Sequence, residues 1–244
     1  MILDHKELGV QLDGMYWDHG DFAINLKSAD KNAVVRAVSE FKRVLPSFCA
    51  NVLAVLEKRR LNVVQTEMIL HGVSPVGVDE YDINLVSRIG QTVSRVCELI
   101  VNGSFTCSSS MFELIHQCLS TKTQSAVSVQ SALEFLNAKI TDPKERGAAA
   151  FLYLCRQQVF DDLNNLSALI FMNGILINEG FYPLFIKERD SAEFKIRYIE
   201  FEHSGRASDV MHFLVMTYER NAVRHEKLSR FKSKSKDKAR LSIF

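Results

Sequence analysis

Glycine and proline are scarce in this 244-residue chain, at 11 and 4 residues, and there is a single tryptophan. So little turn-forming material, beside 47% hydrophobic residues, excludes overall disorder and points to a helical globular composition. Cysteine is sparse and badly spaced for pairing. The five, at 49, 97, 107, 118 and 155, form no CxxC pair and leave an odd count, so a reducing compartment with buried thiols is expected and a disulfide framework is not. No apolar run is long enough to span a bilayer: the longest, from Leu166 to Ile177, is interrupted by Asn173 and Gly174. A secretory leader is also missing from the reading, because "MILDHKELGVQLDG" carries acids where an unbroken apolar stretch belongs. A soluble, cytoplasmic protein without a transmembrane segment is the expectation.

Charge of one sign is lacking overall, the net being +1, yet it is unevenly spread. From Arg224 to Arg240 eight basic residues face two acids, a local +6, so the remainder carries −5. "RFKSKSKDKAR" reads as a solvated, disordered terminus. Nucleic acid is an alternative partner for residues 224–240, although no Tyr or Trp is interleaved there to stack on bases. The chain is near the upper size for one hydrophobic core. It divides into an arm packed on the body (residues 1–29), a helical domain (30–230) and a basic tail (231–244).

Helix follows helix along the body, with no repeat and no long alternating β-branched run. The fold class expected is all-α. Ser28 and Asp30 offer caps for a helix carrying Val34, Val38 and Phe41, which must bend or restart at Pro46. From Asp79 to Val101, Val86, Ile89, Val93, Val96 and Ile100 recur at three and four, before a stop at Asn102-Gly103. Serines 108 to 110 cap a short helix with Met111, Leu114, Ile115 and Cys118. Asp142-Pro143-Lys144-Glu145 is the cleanest start signal: an N-cap, a first-turn Pro and a Glu at the third helical position. Residues 1–29, rich in Asp and Gly around Trp17, read as irregular, with room for at most a two-strand element there or near residues 181–187.

The junction "QVFDDLNNL", Gln158 to Leu166, sets Asp161, Asp162, Asn164 and Asn165 between two helices, the first ending near Phe160 and the second starting near Asn165. These four suit a capped turn. They also suit a phosphate site, since a helix start has unpaired N–H groups and a positive dipole end. Laid without gaps on the pattern H-x-F-x-[D/E]-G-N-[G/K]-R, the stretch matches at Phe160, Asp162 and Asn164. Gln158 takes the histidine position, Leu163 and Asn165 the two glycine-type positions, and Leu166 the arginine. The flanks "DPKERGAAAFLYLCRQQVF", "LIFMNGILINEGFYPLFI" and "SSSMFELIHQCL" add the preceding helix, the following helix and an "LH"-type segment. Over residues 62 to 222 the chain thus resembles the Fic (Fido, filamentation induced by cAMP) proteins, with a degenerate motif.

The resemblance implies a helical bundle and an ancestral AMP transfer from ATP to a protein hydroxyl. The family histidine is the base, the acidic residue holds Mg²⁺, and the glycines with the arginine cradle the phosphates. Gln158 cannot take a proton near neutral pH, a loss of about 10² to 10⁴ in rate. Leu163 and Leu166 put apolar carbons where phosphate oxygens approach, and Leu166 removes charge-assisted bonds of about 1.5 to 3 kcal/mol each. Asp162 and Asn164 are the residues left to touch a nucleotide, and Asp162 alone to touch a metal. The β-hairpin flap is short or missing, because about 22 residues separate Ser120 from Asp142 and "SVQSALEFLNAKI" reads as a helix. At the family's inhibitory helix, "TEMILHG" presents His71 before Gly72 where a glutamate falls. The expectation is a catalytically degenerate module for interaction or regulation, with no cofactor, in a bacterial cytoplasm or delivered to a host cytosol as an effector. The alternatives are a divergent nucleotidyl- or phosphate-group transferase using ATP and Mg with Asp161, Asp162 and Asn164 in altered roles, and a nucleic-acid-associated protein acting through its tail. The protein partner is open, as is homo-oligomerisation.

Overall fold

A helix that is apolar all round has to sit in the middle of a fold. α7 (Asn164–Asn178, NNLSALIFMNGILIN) is such a helix, and every residue from Leu166 to Ile177 is buried. In the computed structural model, which describes residues 9–18, 31–120, 122 and 129–221, it is packed by α1 (Lys31–Leu56), α3 (Glu80–Val101), α4 (Ser109–Leu119) and α6 (Pro143–Gln157). α2 (Val63–Leu70) lies against α1 and α3, and α5 (Gln130–Lys139) against α6. α8 (Ser191–Ser204) and the helical residues 208–221 (α9) close the bundle. The expected all-α class is what the chain adopts.

Several expected boundaries are met by their own physics. Asp79 caps α3 through the Tyr81 N–H, Ser108 caps α4, and Asn62 with Gln65 forms a reciprocal capping box on α2. Asp142 accepts from the Lys144 N–H at 2.7 Å, but Glu145 does not reach back to complete a box. Instead Glu145, 1% exposed, accepts the indole N–H of Trp17 at 2.7 Å. α1 does not restart at Pro46: it runs unbroken through it, held by the edge-on ring contacts of Phe41, Phe48 and Phe185. The expected caps Ser28 and Asp30 lie outside the described residues, as does the tail.

The arm around Trp17 is regular where the sequence suggested irregularity. β1 (Gly9–Leu12) pairs antiparallel with β2 (Met15–Asp18) through Asp13-Gly14, both at positive φ (44° and 78°), the conformation that a two-residue primed turn requires. The signal was present as Asp-Gly between alternating residues. Met15 and Trp17 are fully buried, and the Tyr16 backbone pairs with Gly205 O and Ala207 N at 2.9 and 2.8 Å. Tyr153 and Arg156 of α6 bond Asp13 and the Gly14 carbonyl. Residues 181–187 carry no strand.

A buried amide fixes that segment to the central helix. Asn173, wholly buried on α7, donates to the carbonyls of Leu169 and Leu184 at 2.8 Å and accepts from the Leu184 N–H at 2.7 Å. The adjacent Gly174 leaves room for the Phe105 ring, which a Cβ would overlap.

Candidate functional site

α6 ends at Gln157 and α7 begins at Asn164, so the junction is six residues, 158–163, and starts slightly earlier than expected. Its two ends are left-handed: Gln158 at φ 47° closes α6, and Leu163 at φ 50° precedes α7. Such a backbone costs an ordinary L-residue about 1–2 kcal/mol and glycine almost nothing. Leu163 therefore keeps a backbone shape suited to glycine while carrying a branched side chain, which is buried.

The polar residues do not act as a cap. Leu163 is the N-cap of α7, with no side-chain bond to the first turn. Asn164, 5% exposed, faces backwards: its Oδ1 accepts the Phe160 N–H at 2.9 Å and its Nδ2 donates to the Phe160 carbonyl at 2.6 Å. This clasp closes the loop on itself. The exposed Gln158 side chain folds back to donate to the Cys155 carbonyl and, at 3.3 Å, to Asn165 Oδ1. Leu166 is wholly buried, and Asp161 is exposed.

Phe160 links the loop to the core. Its ring lies 5.1 Å from that of Phe112, and His116 of α4 stacks flat against it, centroids 3.7 Å apart and planes within 5°. His116 Nδ1 is 3.1 Å from the Ser167 hydroxyl of α7, while buried Nε2 has no hydrogen-bond partner and stands 3.8 Å from Oδ1 of Asp162. The same Oδ1 accepts from Ser120 at 2.9 Å, and Oδ2 lies 3.5 Å from Lys122 Nζ. Half-buried Glu57, just past α1, has its pKa raised by burial, with Arg59 opposing and Asp162 adding to the shift.

Sequence reading placed Asp162 in the site but missed Ser120 and Lys122, which meet it from the end of α4, and Ser167, which meets His116. No spacing rule connects residues 42 or 51 positions apart. Asp162 supplies a single carboxylate that already meets a hydroxyl and an ammonium. Among the described residues no three His, Cys, Asp or Glu side chains are grouped to hold a metal ion. The helix bearing His71 packs on α1 and α3; Thr66 is buried there, its hydroxyl donating to the Pro46 carbonyl at 2.8 Å, and His71 is exposed.

Comparison with solved structures decides the architecture. The Fic-1 fragment (aa134–508) from C. elegans superposes with a TM-score of 0.65 at 16% identity, covering 83% of this chain and 73% of that one. A variant of that fragment gives 0.67 at 18%, covering 88% and 70%. A Fic-domain-containing signalling protein from Bacteroides thetaiotaomicron gives 0.66 at 14%, covering 80% and 90%. The chain has the Fic fold. No family model and no curated protein matches the sequence. Among the described residues of this Fic fold, no helix is long and apolar enough to cross a membrane.

Burial lowers the pKa of His116, and Asp162 only partly opposes that. The imidazole is thus kept neutral in the fold while the unfolded chain titrates near about 6.5. Between the two values the unfolded state binds more protons, so this contribution is complete above the unfolded pKa and is lost as pH falls through the folded one. His116→Gln is expected to flatten the loss of stability between neutral and mildly acid pH, measured by urea unfolding of both proteins. Parallel pH profiles would exclude His116 as the source.

Proposed function

We propose that this Fic-fold chain is a non-catalytic module for interaction or regulation rather than an AMP transferase. The observation that carries the reading is the self-satisfied junction. Gln158, at the position where the resemblance calls for a base, spends its amide on Cys155 and Asn165. Asn164 is spent on Phe160, and Leu166 points into the core. Asp162, the carboxylate at the metal-holding position of the motif, already faces Lys122, with which a magnesium ion there would compete. Magnesium prefers near-octahedral oxygen coordination, for which this set does not suffice. The test is the melting temperature with and without ATP and Mg²⁺: no shift is expected, and a saturable rise would overturn the reading.

One observation favours a second reading, a divergent transferase. Leu163, the N-cap of α7, makes no side-chain bond to the first turn, so the usual side-chain cap does not occupy this helix start. A saturable ATP shift abolished by Asp162→Ala would select it.

A nucleic-acid role would rest on the basic residues 224–240. Six neutralised phosphates give a slope of about −5 in log affinity against log salt on duplex DNA. Deleting residues 231–244 is expected to remove any binding of that kind, read by fluorescence anisotropy across a salt series. Unchanged affinity in the truncated chain excludes the tail.

A further inference from the structure

α8 is unusual in showing two apolar faces. Phe194 and Phe201 are buried, and Tyr198 is half-buried beside them. At about 100° per residue, Ala192, Ile196, Ile199 and His203 fall within an arc of about 60° on the opposite side. All four are exposed, Ile196 by 61% and Ile199 by 53%. Their spacing of four, three and four is that of alternating d and a positions over two heptads, with Ile at the central a and d. Isolated exposed apolar residues need no explanation, but a seam with heptad spacing does.

The charges beside the seam identify what fits it. Lys195 and Glu200 occupy the g and following e positions on opposite flanks, both exposed. Lys195 forms no ion pair among the described residues. In a parallel pair of such helices a g residue meets the e residue five positions on in the partner. Lys195 therefore meets Glu200 of a second copy, and two-fold symmetry makes the contact twice. An antiparallel pair would instead set Glu193 against Glu200 of the other copy, a like-charge contact made twice. It would set Lys195 against Glu202 of the other copy, also twice, which at best offsets that repulsion and leaves no net attraction from the flanks. The remaining cation on this face, Arg197, is held by Glu193 of its own helix at 2.8 Å.

We infer that the outer face of α8 is a docking surface for α8 of a second copy of this chain, packed in parallel about a two-fold axis. Ile196 and Ile199 each meet their own counterpart, and the two Lys195–Glu200 contacts set the register. Two heptads bury less than the roughly 1,200 to 2,000 Å² of a stable interface, so the dimer is weak and concentration-dependent.

Sedimentation velocity on the full chain, from micromolar into the millimolar range, is expected to show a monomer–dimer equilibrium. Ile199→Glu, at an exposed position that the fold tolerates, is expected to leave only monomer with an unchanged circular dichroism spectrum. Lys195→Glu and Glu200→Lys each turn two attractive contacts repulsive and are expected to weaken the dimer about tenfold, as exposed pairs of under about 1 kcal/mol allow. The double reversal is expected to restore it. A chain monomeric throughout overturns the inference, as does a dimer indifferent to Ile199→Glu. Strengthening by Glu200→Lys alone would mean antiparallel packing and overturn it equally. So would a face that binds another helical protein but not itself.

Discussion

Gln158→His is expected to leave the chain without AMP transfer above an Asp162→Ala control, to itself or to proteins of a lysate, with labelled ATP and Mg²⁺. The unmodified chain is expected to give the same blank. Restoring a base returns at most about 10² to 10⁴ in rate, and only if the phosphates are held. A missing anion-stabilising donor alone costs about 10² to 10³. Here the side chain at 163 is a buried leucine and that at 166 points into the core. That burial adds an obstacle to full repair. Combining Gln158→His, Leu163→Gly, Asn165→Gly and Leu166→Arg relieves left-handed strain at 163, but it pushes a guanidinium into an apolar site, at a cost of several kcal/mol. The fourfold variant is therefore expected to melt well below the parent and below Leu163→Gly alone, in which relief of the left-handed strain offsets part of the lost burial. Labelled AMP on the unmodified chain, dependent on Asp162, would sink the non-catalytic reading.

Asn173→Leu is expected to destabilise the protein by about 2–5 kcal/mol, the largest effect of any single polar substitution considered. The side chain makes three bonds, two of them to the N–H and carbonyl of Leu184, whose residue is 3% exposed. Water cannot replace the lost partner easily, and each orphaned group costs about 1–3 kcal/mol. Leucine has the same branching and number of side-chain heavy atoms and is the larger of the two, so a cavity is not the cause. Urea unfolding should show a lower midpoint at the same slope. A loss below about 1 kcal/mol would mean that residues 181–187 find other partners.

The helices were legible because each carries its own evidence: a cap, an apolar period, a stop. Asp79, Ser108 and Asp142 announce starts, and the uniform apolarity of α7 announces its central place. Phe160, Asp162 and Asn164, with the flanking helices on either side, carried the resemblance to a fold that the solved structures then matched. Direction was not legible. Asn164 has the composition of a cap, but only the path of the chain shows that its amide turns back to Phe160. Glu145 has the position of a capping-box partner, yet the indole of Trp17, 128 residues away, takes its carboxylate. The contacts of Ser120 and Lys122 with Asp162 are likewise a product of packing, with no local pattern to reveal them.

The docking of the hairpin also imposes an order on synthesis. β2 is completed on its far side by residues 205–208, and Trp17 finds its partner on α6. At about 5–20 residues per second, the ribosome takes roughly 10 to 40 seconds to travel from Trp17 to Ser208. Through that interval β2 lacks the partner on its far side, and a two-stranded hairpin in water is marginal by itself. The seat of the hairpin is therefore complete only once residues 205–208 have been made, long after its own two strands.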